Sequence, residues 1–261
     1  MDDISLQIYE SVTSTMDVAR QFVLSGQSAP NSASHTDWHC ILAYEQTEGR
    51  GQRGRIWFAM PGQSFCATYI YHAPDTTPFR AGSFSLLAGI AVVEALKDLL
   101  ANTDQPYDLG LKWPNDILLN GKKLGGILVD MLLAPDGTWV VLIGVGMNLT
   151  IPAFPAEIAS SATSLLCEGV PFETPEEFAR RLTTSLARQM NLLKQEELIG
   201  LVARWRDFDR TTGRAFVFEE EGKIMYGVAT GISDEGMLCL RLDNGDVTTV
   251  QTASSLKEVL A

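Results

Sequence analysis

Cationic charge is scarce in this chain: 20 Lys and Arg residues stand against 32 Asp and Glu, a net of -12 over 261 residues. That balance excludes a general nucleic-acid or anionic-membrane binder, which needs cationic surface to release counterions. No DNA and no membrane are expected among its partners. Long apolar runs are missing too. The longest, Leu86–Val93 and Trp139–Met147, reach about half of the ~20 residues a membrane span requires. The N-terminal Met-Asp-Asp-Ile-Ser has neither the basic residues nor the apolar stretch of a secretory signal. Cysteine is sparse: Cys40, Cys66, Cys167 and Cys239 are scattered and form no CxxC pair. A disulfide framework is therefore not expected, and a reducing cytoplasm fits. There are three histidines. His35, His39 and Cys40 lie near one another, but no second ligand cluster completes a tetrahedron. HExxH and GxSxG are both absent, which sets aside those hydrolase classes. What remains is an acidic chain, 46% hydrophobic and 20% charged, with the composition of a globular core rather than a disordered one.

The patterning predicts an α+β domain over 1–207 followed by a small all-β module over 208–261. Helices are expected at Ser11–Leu24, capped by Ser14 or Thr15 with Asp17 in its first turn, at Phe84–Leu100, and at Glu176–Gln195 behind Thr174 and Pro175. Strands are expected at Trp38–Tyr44, Phe65–Tyr71, Leu109–Trp113, Ile117–Leu119, Gly126–Leu133 and Trp139–Val145. Asn120-Gly121 and Asp136-Gly137 mark hairpins. Beyond Phe208, four short strands punctuated by Glu221-Gly222, Glu235-Gly236 and Asn244-Gly245 suggest a small barrel.

Charge is not spread evenly. From Arg50 to Lys123 the chain carries eight basic and six acidic residues, a locally cationic stretch suited to a small polyanion. Within it, Gly49-Arg50-Gly51-Gln52-Arg53-Gly54-Arg55-Ile56-Trp57 sets three arginines among three glycines. Glycines let backbone approach a ligand and expose N–H groups to an anion, while arginine adds a planar fork for phosphate oxygens. Trp57 could stack on a flat heterocycle. Neither the Walker A nor the GxGxxG spacing is present. Lys112-Trp113-Pro114-Asn115-Asp116 follows a strand and offers a point charge for phosphate beside two oxygen donors. Lys123-Leu124-Gly125-Gly126 places a second ammonium before paired glycines, and Gly144-Val145-Gly146-Met147-Asn148 ends a later strand.

Together, in this order and at this spacing, these four motifs resemble those of biotin–protein ligases, over roughly residues 8–150. The resemblance implies a mixed-sheet biotin/lipoate-ligase-like catalytic domain followed by an SH3-like β-barrel. It implies two steps: biotin and Mg-ATP give biotinyl-5′-AMP, and a lysine of a biotin carboxyl carrier domain of a carboxylase then takes the biotinyl group. By the same likeness, Ser14, Thr15, Met16, Gln46, Arg50, Gly51, Gln52, Lys123, Gly125 and Gly126 would face biotin. Arg50, Arg53, Arg55, Trp57, Lys112, Asn115, Asp116 and Asn148 would serve ATP, with Lys123, Arg50 and Lys112 catalytic. Mg2+ would enter on the ATP phosphates, with Asp116 a candidate ligand.

Three positions depart from the pattern. Met16 stands where the family usually has Asn, Gln52 where it usually has Arg, and Thr252-Ala253-Ser254-Ser255 where a Gly-Glu-Val is common. A missing cation at position 52 predicts weaker ligand retention, by about 1–3 kcal/mol. The helix expected within the first fifteen or so residues leaves no room for a preceding DNA-binding domain. Two rivals stay open: a lipoate or octanoate ligase, and a weakly catalytic biotin-binding sensor. A monomer and a homodimer are equally compatible with the sequence.

Overall fold

Strands and three helices with apolar faces assemble into a layered α+β structure in the computed structural model, which describes residues 5–26, 38–73, 81–101, 103, 105–220, 223–251 and 256–259. His35, Arg80, the Glu221-Gly222 turn, Thr252–Ser255 and most of the Gly26–Thr36 loop lie outside the described residues. A seven-stranded mixed sheet has the order β1-β2-β3-β7-β6-β5-β4. Its strands are β1 (Ser5–Val12), β2 (Trp38–Gln46), β3 (Ser64–Ala73), β4 (Leu109–Lys112), β5 (Asp116–Leu119), β6 (Lys122–Leu133) and β7 (Trp139–Asn148). β1 runs parallel to β2, and every other neighbouring pair is antiparallel.

One face of the sheet takes a single helix, α1 (Thr15–Leu24), through Met16, Ala19 and Val23 packed with Ile41, Ile70 and Leu142. The other takes α2 (Ala81–Leu100) and α3 (Pro175–Arg206). α2 is covered on almost all sides, with Phe84, Leu87, Ile90 and Val93 fully buried. Each such side chain contributes about 1.5–3 kcal/mol. Phe65 and Phe178 meet edge to face, 5.1 Å between centroids, and tie β3 to α3.

Three helix boundaries differ from the sequence expectation, α2 beginning at Ala81 rather than Phe84. Ser11 and Val12 extend an edge strand that the sequence did not announce, because β1 is half-exposed and its apolar residues do not alternate cleanly. α3 breaks at Glu197, with φ 59° and ψ -166°, and resumes to Arg206. Its Thr174–Glu177 capping box is reciprocal, so both N-terminal donors are satisfied. The expected Asn120-Gly121 hairpin is present, both residues at positive φ (51° and 79°), as a type I′ turn requires.

The C-terminal strands β8 (Ala215–Glu220), β9 (Lys223–Ile232), β10 (Leu238–Leu242), β11 (Val247–Val250) and β12 (Lys257–Glu258) form an antiparallel sheet ordered β11-β10-β9-β8-β12. Among the described residues no ladder closes the expected barrel, β11 and β12 being the two edges, with only two residues of β12 to pair. This sheet is stitched to the first. Leu111 N donates to Phe208 O (2.7 Å) and Arg210 N to Leu111 O (2.8 Å). β4 lies so close to this seam that a Cβ on Gly110 would meet Phe208 O at 2.8 Å. No helix among the described residues is long and apolar enough to cross a membrane.

Candidate active site

A cleft of about 470 Å3 opens between the N-terminus of α1, the glycine–arginine loop, β5–β7 and the edge of the C-terminal sheet. Its two ends differ in chemistry. At one end, the turn into α1 delivers Ser14 and Thr15, both buried. Thr15 N and Thr15 Oγ1 both donate to Gln46 Oε1, at 2.8 and 3.1 Å. Ser14 stands at the N-cap, but its side chain makes no capping bond. Met16 fills the floor; a Cβ on Gly144 would sit 2.9 Å from its sulfur. Cys66 lies beside Gln46, and burial pushes its thiol up to about 12 against the pull of the Gln46 amide.

The other end is ionic. Lys123 Nζ is 2.5 Å from Asp116 Oδ1, and Lys112 Nζ is 3.1 Å from Asp116 Oδ2. Lys112 also reaches Glu258 Oε2 at 3.1 Å, and Glu258 Oε1 takes Arg214 Nη1 at 2.5 Å. Three cations and two carboxylates thus alternate from β6 across β5 and β4 into the C-terminal sheet. Burial pushes the Asp116 carboxyl up, but Lys123 and Lys112 outweigh it and hold it below its ordinary range. Burial pulls Lys112 down, and Asp116 with Glu258 reverses that, leaving it raised. Asp116 and Lys112 are therefore both held in their charged forms. Lys123 itself is fixed by its backbone, whose N–H and C=O pair with Ser161 O and Thr163 N.

The glycine–arginine loop covers the cleft. Gln52–Gly54 form a single 3₁₀ turn in which Arg53 and Gly54 take positive φ (61° and 70°). Close approach is real at Gly49, where a Cβ would meet Trp57 O at 3.0 Å. Arg50 pairs with Asp17 in the first turn of α1 (2.9 Å). Arg53 donates to Leu256 O in the C-terminal module (3.2 Å). The Trp57 indole covers Gly146, within 2.7 Å of where a Cβ would stand, so only glycine fits there. Its buried Nε1 finds no acceptor among the described residues, and Lys123 Nζ sits 5.8 Å from its ring.

Most residues named from sequence therefore meet in one place: Ser14, Thr15, Met16, Gln46, Arg50, Gly51, Gln52, Arg53, Arg55, Trp57, Lys112, Asn115, Asp116, Lys123 and Gly126 line the cleft. Two do not. Asn148 is buried and donates to Thr163 O, and Gly125 lies behind the wall, pressed on Gly146 O. Both brace the site from outside it. The sequence missed Asp17, Leu256 and Glu258. No local signal marks Glu258, which lies 146 positions from the lysine it contacts.

For a metal, the donor set is poor: no group of three His, Cys, Asp or Glu side chains converges among the described residues. Asp116 has each oxygen on a lysine ammonium, so it does not fit the role of metal ligand suggested by the sequence.

The comparisons agree with this geometry. The Biotin/lipoate A/B protein ligase family matches residues 9–148, and the Biotin protein ligase C terminal domain matches 212–259. The chain is 34% identical over 226 residues to the biotin–[acetyl-CoA-carboxylase] ligase of Mycobacterium tuberculosis, covering 86% of this chain and 80% of that one. It is 29% identical to the bifunctional ligase/repressor BirA of Escherichia coli, covering 78% of this chain and 61% of the relative. A biotin protein ligase from Aquifex aeolicus in complex with biotin and ATP has the same fold: TM-score 0.74 at 21% identity, covering 98% and 99% of the two chains. With two family domains in order and a relative at this identity, the chain belongs to the biotin/lipoate A/B protein ligase family.

Proposed function

We propose that this chain joins biotin to a lysine of the biotin carboxyl carrier domain of a carboxylase, through biotinyl-5′-AMP, with residues 1–207 catalytic and 208–261 closing the nucleotide side. The observation that carries this reading is the two-ended cleft. A buried hydrogen-bonding end, built on Ser14, Thr15 and Gln46, suits a polar head group. An ionic end, built on Lys112 and Lys123, suits a carboxylate beside phosphates.

In the first step a carboxylate oxygen attacks the α-phosphorus of ATP and the bond to the β-phosphate breaks, releasing pyrophosphate. Two anions must meet, and Lys123 and Arg50 offset their repulsion. Lys112 and Asn115 hold the nucleotide phosphates, with Arg53, Arg55 and Trp57 closing above. Mg2+ would be brought by ATP rather than held by side chains of the described residues, and would offset phosphate charge. Asp116 serves the lysines, holding both ammonium groups in place at the cleft. In the second step an acceptor lysine, as free amine, attacks the acyl carbon and AMP leaves. Loop closure keeps water from the mixed anhydride.

A lipoate or octanoate ligase would have little use for the buried hydrogen-bonding end, which favours biotin. The decisive experiment follows carrier-domain mass after incubation with Mg-ATP and biotin, with lipoate in parallel. A biotin-sized gain, lost by at least a hundredfold in rate in Lys123→Met, is expected. A gain with lipoate alone assigns the sister activity. Tight biotin binding without any gain assigns a sensor.

A further inference from the structure

Behind the polar end of the cleft stands a residue that touches no ligand space. Thr68 is on β3, fully buried, and its hydroxyl donates to Thr15 Oγ1 at 2.8 Å. Thr15 is on α1 and passes its own proton to Gln46 on β2. We infer that Thr68 is a positioning residue that sets the donor–acceptor polarity of the head-group end, and so the preference for a cyclic urea over a plain acyl chain.

The argument is one of proton accounting. The Thr15 backbone N–H can only donate, so the Gln46 atom 2.8 Å from it is the carbonyl oxygen, and the amide orientation is fixed. With Thr15 N and Oγ1 both on that oxygen, Gln46 has only its NH2 left, and with one proton of it turned to the Cys66 thiol the other is what it offers the cleft. A hydroxyl has one proton and two lone pairs. Thr15 has given its proton to Gln46 and one lone pair to Thr68, so it faces the cleft as an acceptor. The end wall then presents one donor and one acceptor side by side, beside the uncapped hydroxyl of Ser14. A urea ring, with a carbonyl flanked by N–H groups, answers that pattern; an alkyl chain answers none of it. A site built this way rejects a molecule lacking the partners far more strongly than an apolar pocket rejects a missing methylene. Without the Thr68 proton, Thr15 still donates to Gln46, but neither of its lone pairs is committed and the direction in which it accepts from the cleft is no longer set.

This inference rests on the ligase reading and deepens it. Its test uses the full chain with biotin and octanoate as competing acids in ATP–pyrophosphate exchange, together with direct biotin binding by calorimetry. Thr68→Val, which keeps shape and strand propensity, is expected to raise Kd and KM for biotin about tenfold. KM for ATP and kcat at saturating biotin should hold, and the preference for biotin over octanoate should fall by a similar factor. Thr68→Ser, which restores the hydroxyl, should restore all of these. A Thr68→Val enzyme with unmoved biotin constants, or with biotin and octanoate weakened equally, overturns the relay while leaving the ligase reading intact. A wild-type chain that binds no biotin overturns both.

Discussion

Position 52 carries the most informative single departure. Gln52 sits half-buried on the cleft wall, between Gly51 and an Arg53 whose guanidinium donates to Leu256 O. Of the loop's three arginines, Arg50 is held by Asp17 and Arg53 by the C-terminal module. The loop's cationic hold on an adenylate therefore rests on fewer free guanidinium groups than its sequence suggests. Gln52→Arg is expected to slow release of the adenylate by about tenfold or more, the worth of one charge-assisted hydrogen bond. Rapid filtration of preformed complex measures that rate, and an unchanged rate would remove Gln52 from the account. At this scale the sequence spoke clearly where residue type and neighbours define the chemistry, as for Lys112 and Lys123. It marked Asp17 only as a helix-start residue and was silent on Glu258, because an ordinary carboxylate becomes a site residue only through distant chain that folds against it.

Elements were legible to the extent that their own stereochemistry wrote the signal. Thr174-Pro175 with Glu177 spells a helix start, and Asn120-Gly121 spells a I′ turn; both are present as spelled. β1 has no such spelling, being an edge strand with Ile8 44% exposed, and it exists through its parallel ladder to β2. The apolar period of α3 ends at Gln195 because the helix does break two residues later, at Glu197; tertiary packing of Leu201, Val202 and Trp205 then carries it on. The Thr174 cap gives a direct test. Thr174→Ala removes the acceptor of Glu177 N and should lower stability by about 1 kcal/mol in urea unfolding. Activity should be unaffected, since α3 lies across the sheet from α1 and no α3 residue lines the cleft.

For the whole molecule, the join between the two sheets is also part of the site. Glu258 brings a carboxylate from β12 to Lys112, and Arg214 from the same module balances it. Burial pushes the Glu258 carboxyl up, but Arg214 and Lys112 outweigh that and hold it below its ordinary 4.5. A carboxyl depressed in the folded state contributes stability that is complete above its unfolded pKa and is lost as pH falls through its folded pKa. Glu258→Gln should therefore lower stability by about 1 kcal/mol, the pair being only partly shielded from water. That deficit should stay flat around neutral pH and close in acid, below the ordinary 4.5, as the wild-type carboxyl takes up its proton. In the same variant Lys112 keeps Asp116 as its partner, so the ammonium stays charged and only its tether to the module is cut. Urea titrations of both proteins across that range test the join: a deficit that persists unchanged into acid would show that Glu258 acts through packing rather than through its charge.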